Sequence, residues 1–434
     1  MSRRATTTFA RVVAGAVAVA VFGAACGASR GSGIAASGDQ ADEAATTSSA
    51  GVVGVDPLLF LSGRAEVVAL HTSDGSVSYR GLAGMAAPDR SAIAQVVGRQ
   101  VVAVDPATGE PMWTHPVSAD RRVRVVAPGA RLVALVDGEL LTPSDPRTST
   151  EVVVADTDGT RTLTIAGNVD PEAFTTDGRS LVVVEYLPAE QPDHYAVRLV
   201  DLASGEMRAV PDQPGHHPDQ GPRERMAGYA RTQVASPDGR FLYTYYASPE
   251  GVHENEGSYY AFVHVLDLDH GWAYCIDLEA PFGTSPEQWS EPALTLTPDG
   301  TRLLVADRLT GALTAIDTDS LEVLAATTID PGAPVDSVPT AAASDDVLYL
   351  GMNRELLRLD TTTLDVLDRR QLPSAITGLK VDRSGTVLYV VTAANVSRLS
   401  PDGVTIGDWP LPVAGAGADP AVAIPASGAY KCAC

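Results

Sequence analysis

The sequence predicts an all-β chain that forms a single closed β-propeller of four-stranded blades, eight or alternatively seven, with the ring closed by the C-terminal strand. Three observations predict it. A unit of four apolar strands recurs at about 40–50 residues, the period of propeller blades. A turn of the Pro-Asp-Gly kind holds the same place in successive units, with positions 178, 239, 300, 346 and 385 separated by 61, 61, 46 and 39 residues. Composition agrees: 39 Gly and 30 Pro in 434 residues suit many turns and few long helices, and 45% hydrophobic residues suit a folded core.

The clearest unit spans 293–329. Its first strand is 293–297, its turn Pro298-Asp299-Gly300, and its later strands are 302–307, 311–317 and 321–328. Pro fits the first central turn position, and Gly takes the left-handed conformation that lets the hairpin close. Strand residues are Val, Leu, Ile, Ala, Thr and Tyr, as a sheet prefers. Copies align on Thr176-Asp177-Gly178, Pro237-Asp238-Gly239, Ser344-Asp345-Asp346 and Arg383-Ser384-Gly385. Weaker copies turn at Ala87-Pro88-Asp89-Arg90 and at Pro128-Gly129. Seven complete units fit between residues 82 and 412, and 58–82 holds only three strands. Residues 421–428, Ala-Val-Ala-Ile-Pro-Ala-Ser-Gly, read as an orphan first strand that completes the opening blade and removes both free edges.

Ahead of the repeats, Arg3, Arg4 and Arg11 give a positive start, 12–25 is an uncharged apolar run of 14 residues, and Gly23-Ala24-Ala25-Cys26 follows. This is the layout of an export signal, and the run is too short to span a membrane. The Cys after small residues resembles a bacterial lipoprotein lipobox, with Gly23 where Leu or Val is usual. The resemblance implies cleavage after residue 25 and a diacylglycerol on Cys26; the other reading is a plain signal peptide with a Cys near its cleavage site. Two acyl chains anchor stably, at about 0.8 kcal/mol per buried CH₂. Segment 26–55 is Gly, Ala, Ser, Thr and a few acids, too poor in large apolar residues to fold, and reads as a flexible tether. The propeller then occupies 56–428, and 429–434 is a tail.

The formal net charge is −23. A chain this acidic is not expected to bind nucleic acid or an anionic lipid surface through its bulk charge. The basic residues are nearly all Arg, with Lys only at Lys380 and Lys431. Beyond the N-terminus no run of 18 apolar residues marks an internal membrane span, so membrane contact is expected only through the N-terminal lipid. The expected state is an exported monomer on the outer face of the cytoplasmic membrane.

The tract Val101-Val-Ala-Val-Asp105-Pro-Ala-Thr-Gly109-Glu-Pro-Met-Trp113 resembles a PQQ-like propeller repeat: a strand ends in Asp, turns at Thr-Gly and returns through a Trp. The units around Pro298 and Gly385, with Leu388-Tyr-Val-Val391, resemble YVTN-type repeats. These resemblances imply the fold rather than a chemistry, since propellers host enzymes, scaffolds and ligand binders. Quinoprotein dehydrogenases resemble a ring of Trp-bearing units. Only one unit here has the Trp, so a bound quinone is not expected.

Within the repeat body, 56–428, no Gly-x-Ser-x-Gly, His-Glu-x-x-His, Walker or dinucleotide motif is present. Asp156-Thr-Asp158-Gly159 begins like a calcium loop but lacks its later ligands and sits where a hairpin turn is needed. Asp267-Leu-Asp269-His270-Gly271 is the same turn in another blade. With Cys26 lipidated, Cys275, Cys432 and Cys434 remain, an odd number for an oxidising compartment. Cys275 is placed on an outer strand, and Cys432-Ala-Cys434 reads as a frayed tail or as a two-thiol site.

The connections between second and third strands share one face with those between blades, and they are enlarged at 187–195, 212–228, 248–258 and 280–291. They contain His194, His216, His217, Arg223, Arg225, His253 and Glu254, with Tyr259 nearby and Trp289. Long loops on a rigid scaffold are where binding residues concentrate. These residues are the candidate binding surface, with Trp289 and Tyr259 as apolar anchors. No cofactor is expected, although a divalent metal on the loop histidines is an open alternative. The first functional expectation is a non-catalytic, surface-tethered module binding a protein or cell-envelope component. The second is a propeller enzyme, either a metal-dependent lactonase or hydrolase or a quinoprotein-like oxidoreductase, which carboxylates and amides meeting at the channel mouth would favour.

Overall fold

The computed structural model describes residues 58–412 except 63–65, 83, 139–145, 193, 214–228, 248–259, 285–291, 308, 331–339 and 383. Among the described residues the regular elements are strands, apart from one short 3-10 turn at Pro128–Ala130. They form eight antiparallel sheets. The opening sheet has three strands and the other seven have four each, hydrogen-bonded in chain order. The molecule is therefore an eight-bladed β-propeller, not a seven-bladed one. The innermost strands of blades 2 to 8 are Gly84–Ala86, Arg121–Val126, Asn168–Phe174, Tyr229–Ala235, Ala293–Leu296, Thr340–Ala343 and Ile376–Val381.

Blade 1 consists of Leu58–Ser62, Glu66–His71 and Val77–Leu82. The turn before its last strand identifies which strands these are. Gly75, at φ +73°, donates its N–H to the His71 carbonyl at 2.8 Å. Gly109, Gly205 and Gly271 make the same bond to Asp105, Asp201 and Asp267, each at the turn from third to fourth strand. The three strands are thus the second, third and fourth, and the innermost place of blade 1 is the one expected for 421–428. That segment lies outside the described residues.

Each blade buries both faces, and period-2 alternation decides which neighbour each side chain meets. Leu58 and Phe60 pack toward blade 2 with Ile93 and Val104, whereas Leu59 and Leu61 pack toward blade 8 with Tyr389, Val391 and Val396. This is why Leu58-Leu-Phe-Leu reads as an unbroken apolar run. Eight apolar clusters result, one at each seam between consecutive blades, including the seam between blade 8 and blade 1. At that last seam the Trp409 ring stacks on Tyr389 with centroids 6.1 Å apart and lies against Gly75, where a Cβ would collide with it. Arg80 reaches across the seam to the Pro412 carbonyl.

Aspartates build the turns. Where a third strand ends in Asp, one carboxylate oxygen accepts the backbone N–H groups two and three residues on, as Asp267 does from Asp269 at 2.8 Å and His270 at 2.9 Å. Asp156 does the same for Asp158 and Gly159, so that segment is a hairpin turn. A backbone N–H is the leading reason that the carboxyls of Asp177, Asp201, Asp317 and Asp360 are held below their ordinary value; the donors are Arg179, Ser204, Ser320 and Thr363. At Asp267 burial is the largest single influence and acts upward, but Arg240, His270 and the backbone N–H groups together hold it low. At Asp299 burial also acts upward and is outweighed by Thr297 and Thr301. Asp345 goes the other way, raised by burial and then by Asp299 and Asp346.

Depressed carboxyls contribute stability above their unfolded value of about 3.9 and lose it as pH falls through the lower folded values. Six depressed turn aspartates outweigh Asp345, so stability should fall continuously below about pH 4. Urea midpoints measured between pH 7 and pH 2.5 check this, and Asp267→Asn should flatten part of the decline while lowering stability at pH 7 by about 2 kcal/mol.

Candidate functional site

In every blade the first-to-second and third-to-fourth turns lie on one face of the ring, here the turn face. The second-to-third connections and those between blades lie on the other, the loop face. The turn face is tight and stitched from blade to blade. Gly129 donates to Asp89 at 2.9 Å, Arg131 to the Thr176 carbonyl, and Thr176 to the Leu268 carbonyl at 3.0 Å. Arg302 donates to Thr361 at 3.2 Å, and Tyr349 to the Pro401 carbonyl at 3.5 Å. The long connections are all on the loop face. They include 138–148 of blade 3 and the exit from blade 6 at 329–339, which the repeat pattern alone did not single out. The backbone N–H of Arg147, in the first of these, donates to Ala189 in the loop of blade 4 at 3.1 Å, so the enlarged sector begins at blade 3.

Of the sequence-derived candidates, His194 is described. It is the first residue of the third strand of blade 4, His194–Asp201, pairs with Leu187, and is half-buried. His216, His217, Arg223, Arg225, His253, Glu254, Tyr259 and Trp289 lie outside the described residues. Cys275 lies on the outermost strand of blade 5, Trp272–Leu278, and is half-buried. Cys26, Cys432 and Cys434 lie outside the described residues.

The bases of the long loops rest on aromatic side chains. Tyr186, Tyr195, Tyr246 and Phe262 form a run at the seam of blades 4 and 5, with successive centroids 6.5, 5.1 and 5.2 Å apart. Phe282, in the connection leaving blade 5, is buried in the next seam. Residues 211–213 turn outward along the rim: Gln213 donates to the Ala273 carbonyl at 2.9 Å, which covers part of the outer edge of blade 5.

Beneath this sector the channel wall changes character. The innermost strands border the channel, and those of blades 3, 4, 5 and 8 carry β-bulges, in blades 3 and 4 at Val123/Val125 and at Pro171/Ala173. The extra residues are Arg124 and Glu172. A bulge removes a residue from the ladder and re-aims its side chain. Pro171 is tolerated here because the innermost strand is an edge. Arg124 reaches the next blade and grips Asp170 in a bidentate pair, Nε–Oδ1 2.8 Å and Nη2–Oδ2 2.6 Å, with side chains 12% and 13% exposed. Glu172 reaches the blade after, where its Oε2 accepts Gln233 Nε2 at 2.5 Å. The same Nε2 lies 3.1 Å from Thr244 Oγ1. The described inner strands of blades 6 to 8 carry Thr295, Ala341 and Thr377, with Lys380 on that of blade 8. Among the described residues, no group of three or more His, Cys, Asp and Glu is disposed to hold a metal ion.

Arg124, Asp170, Glu172 and Gln233 were not among the sequence-derived candidates. The signal available was Asn168-Val-Asp170-Pro-Glu172: two acids and a proline on a strand otherwise apolar in Val169, Ala173 and Phe174.

No family model matches the chain, and no curated protein matches it in sequence. Solved structures do. Dihydro-heme d1 dehydrogenase NirN in complex with DHE has a TM-score of 0.50 at 15% identity, covering 82% of this chain and 73% of that one. BamB from Moraxella catarrhalis gives 0.41 at 14% identity over 82% and 96% of the two chains. The computationally designed Ika8 protein gives 0.44 at 12% identity over 82% and 93%. The likeness to NirN shows the propeller fold, and at this identity it shows the fold alone.

Removing one partner of the inner-wall pair strands a half-desolvated charge. Asp170→Ala should lower stability by about 3 kcal/mol, whereas the double replacement Arg124→Met with Asp170→Leu should recover most of the loss. A double-mutant cycle by urea unfolding checks the coupling, and additive losses would show that the pair is not coupled.

Proposed function

We propose that this protein is an exported propeller lipoprotein, anchored through Cys26 on the outer face of the cytoplasmic membrane, and that it acts as a non-catalytic binding module for a protein or cell-envelope component. The observation that carries this reading is the one-sidedness of the ring. The long connections, on blades 3 to 6, all join strand ends at the loop face, and the inner strands of blades 3 and 4 carry Arg124, Asp170 and Glu172. Strand direction supplies the orientation. Leu58 begins a second strand and so enters the ring at the turn face. The strand ends joined by the enlarged connections lie on the opposite face. A rigid ring with one elaborated face suits recognition.

One feature favours an enzyme instead: carboxylates and an amide do meet at the channel wall. Against it, both oxygens of Asp170 are engaged by Arg124 and Glu172 holds Gln233. Stoichiometric calcium or another divalent ion in purified protein would favour the enzyme.

A variant shortened in 212–228 and 248–258 should keep the native melting temperature and lose at least tenfold in affinity for whatever the native protein captures from solubilised envelope. Equal capture by both proteins would place the recognised surface elsewhere. Cys26→Ala should move the protein from the membrane fraction to the medium, and an unchanged distribution would show that the anchor is elsewhere.

A further inference from the structure

We propose that the inner edge of blade 1 is a strand-receiving site, and that its occupant is the segment 421–424 of the same chain in one register: Ile424 opposite Leu59, Ala423 opposite Phe60, Val422 opposite Leu61 and Ala421 opposite Ser62.

The complete blades supply the register. In blades 4 to 7 the first residue of the second strand, Ser180, Phe241, Arg302 or Val347, pairs with the Asp that ends the third strand. The next residue, Leu181, Leu242, Leu303 or Leu348, receives the last residue of the first strand, Phe174, Ala235, Leu296 or Ala343. In blade 1 Leu58 pairs with His71, whose carbonyl takes the place of the Asp at the following turn. Leu59 is therefore the residue that awaits the end of a first strand.

Two segments of the chain could be laid there, and the turn that follows a first strand chooses between them. Its fourth residue has positive φ at Arg90, Ala130, Gly178, Gly239, Gly300 and Gly385. Each of these donates its N–H to the carbonyl three residues before it. Laid on Ala293-Leu-Thr-Leu-Thr-Pro-Asp-Gly300, Ala421-Val-Ala-Ile-Pro-Ala-Ser-Gly428 puts Gly428 at that position. Counting back from Leu58 instead puts Asp56 there, directly before Pro57. A residue before proline is pushed into extended conformations, so 49–57 cannot make this turn as the other blades do. Pro425 falls at the place of Thr297, whose N–H donates to the Arg302 carbonyl at 3.0 Å. Pro425 has no N–H, so the ladder ends at Ile424.

Packing agrees with the register. Residues directly opposite each other point to the same side of a sheet. Leu59 and Leu61 pack toward blade 8, so Val422 and Ile424 join Tyr389, Val391 and Val396 there. Leu294 and Leu296 lie in the same way against Leu303 and Val305 in the seam of blades 5 and 6. Lys380 pairs with Tyr389 and so faces the inner end of the closing seam. Its methylenes can cover Val422 and Ile424 while the ammonium stays hydrated, and 421–428 brings no charge of its own. Ala421 and Ala423 face blade 2. A slip of one residue would reverse every side chain and leave two alanines to fill the seam with blade 8. The chain also reaches. Residues 117–120 and 372–375 each cross from an outermost strand to the next innermost one, and 411–420 are more than twice as many. The described chain ends at the right place, with Leu411 packed in the closing seam and the Pro412 carbonyl accepting Arg80 of blade 1. Seated in this way, the strand runs from the loop face to the turn face and brings Gly428 beside Leu58, away from the enlarged connections.

Cysteine pairs in the full-length chain, with Cys432→Ser and Cys434→Ser, test the occupant and the register together. Ser62→Cys with Ala421→Cys should form a disulfide within one chain, since directly paired residues are within its reach. Ser62→Cys with Ala423→Cys should not, because a diagonal pair is about 7–8 Å apart. Ser62→Cys with Ser49→Cys reports the competing segment and should stay reduced. Hydrogen exchange on the unsubstituted protein gives a second measurement, and decides should the cysteine variants fail to fold. Exchange should be at least about tenfold slower in 421–424 than in 413–420 or in 49–52. A link through Ser49→Cys, equal linking through Ala423→Cys, a link between two chains, or no link in folded protein would overturn the proposal. So would exchange in 421–424 as fast as in 413–420.

Discussion

Each blade is apolar on both faces, so no blade can be stable unless it is covered on both sides. That constraint governs the whole molecule. A row of sheets covers every face except the two at its ends, and only bringing those two ends together removes them. The eight seam clusters are the outcome, each drawn from two consecutive blades. The strand direction, the repeated turn and the Asp-anchored hairpins all keep each four-stranded sheet at one size, so that eight of them meet without a gap. Burial of one large apolar side chain contributes roughly 1.5–3 kcal/mol. A seam that buries Leu58, Phe60, Val67, Tyr79, Ile93 and Val104 together therefore represents a large share of the net stability of a domain.

The closing seam, between blades 8 and 1, is built around aromatic rings. The stacked Trp409–Tyr389 pair and Arg398, 5.5 Å from the Trp409 ring centroid, fill the approach to Gly75. An aromatic ring covers more surface per residue than any aliphatic side chain.

Much of this was legible from the residues alone. The recurrent turn fixed strand direction and blade size, and the third strand's terminal Asp marked the hairpin that follows. The three-strand opening unit was legible too, because Asp74-Gly75 belongs to the late turn and not to the early one. The inner wall was not. Strict alternation puts Asp170 and Glu172 on the same side of their strand. In the structure Asp170 pairs with blade 3 and Glu172 with blade 5, because the bulge between Pro171 and Ala173 shifts the register between them. A bulge has no sequence pattern as firm as a Gly turn. Its polar cargo becomes meaningful only once the strand is known to be innermost.

The position of the long loops follows from the same mechanics. Lengthening a connection between fixed ends costs little, about 0.6 kcal/mol per doubling of its length, provided the ends stay fixed. The enlarged connections arise from blades 3 to 6, and the Tyr186–Tyr195–Tyr246–Phe262 run in the seam of blades 4 and 5 fixes the strand ends from which two of them leave. Packed ends of that kind also let the inner strands of blades 3 and 4 carry the bulged Arg124 and Glu172 without loosening the sheet, since the surrounding core outweighs a local loss of ladder bonds.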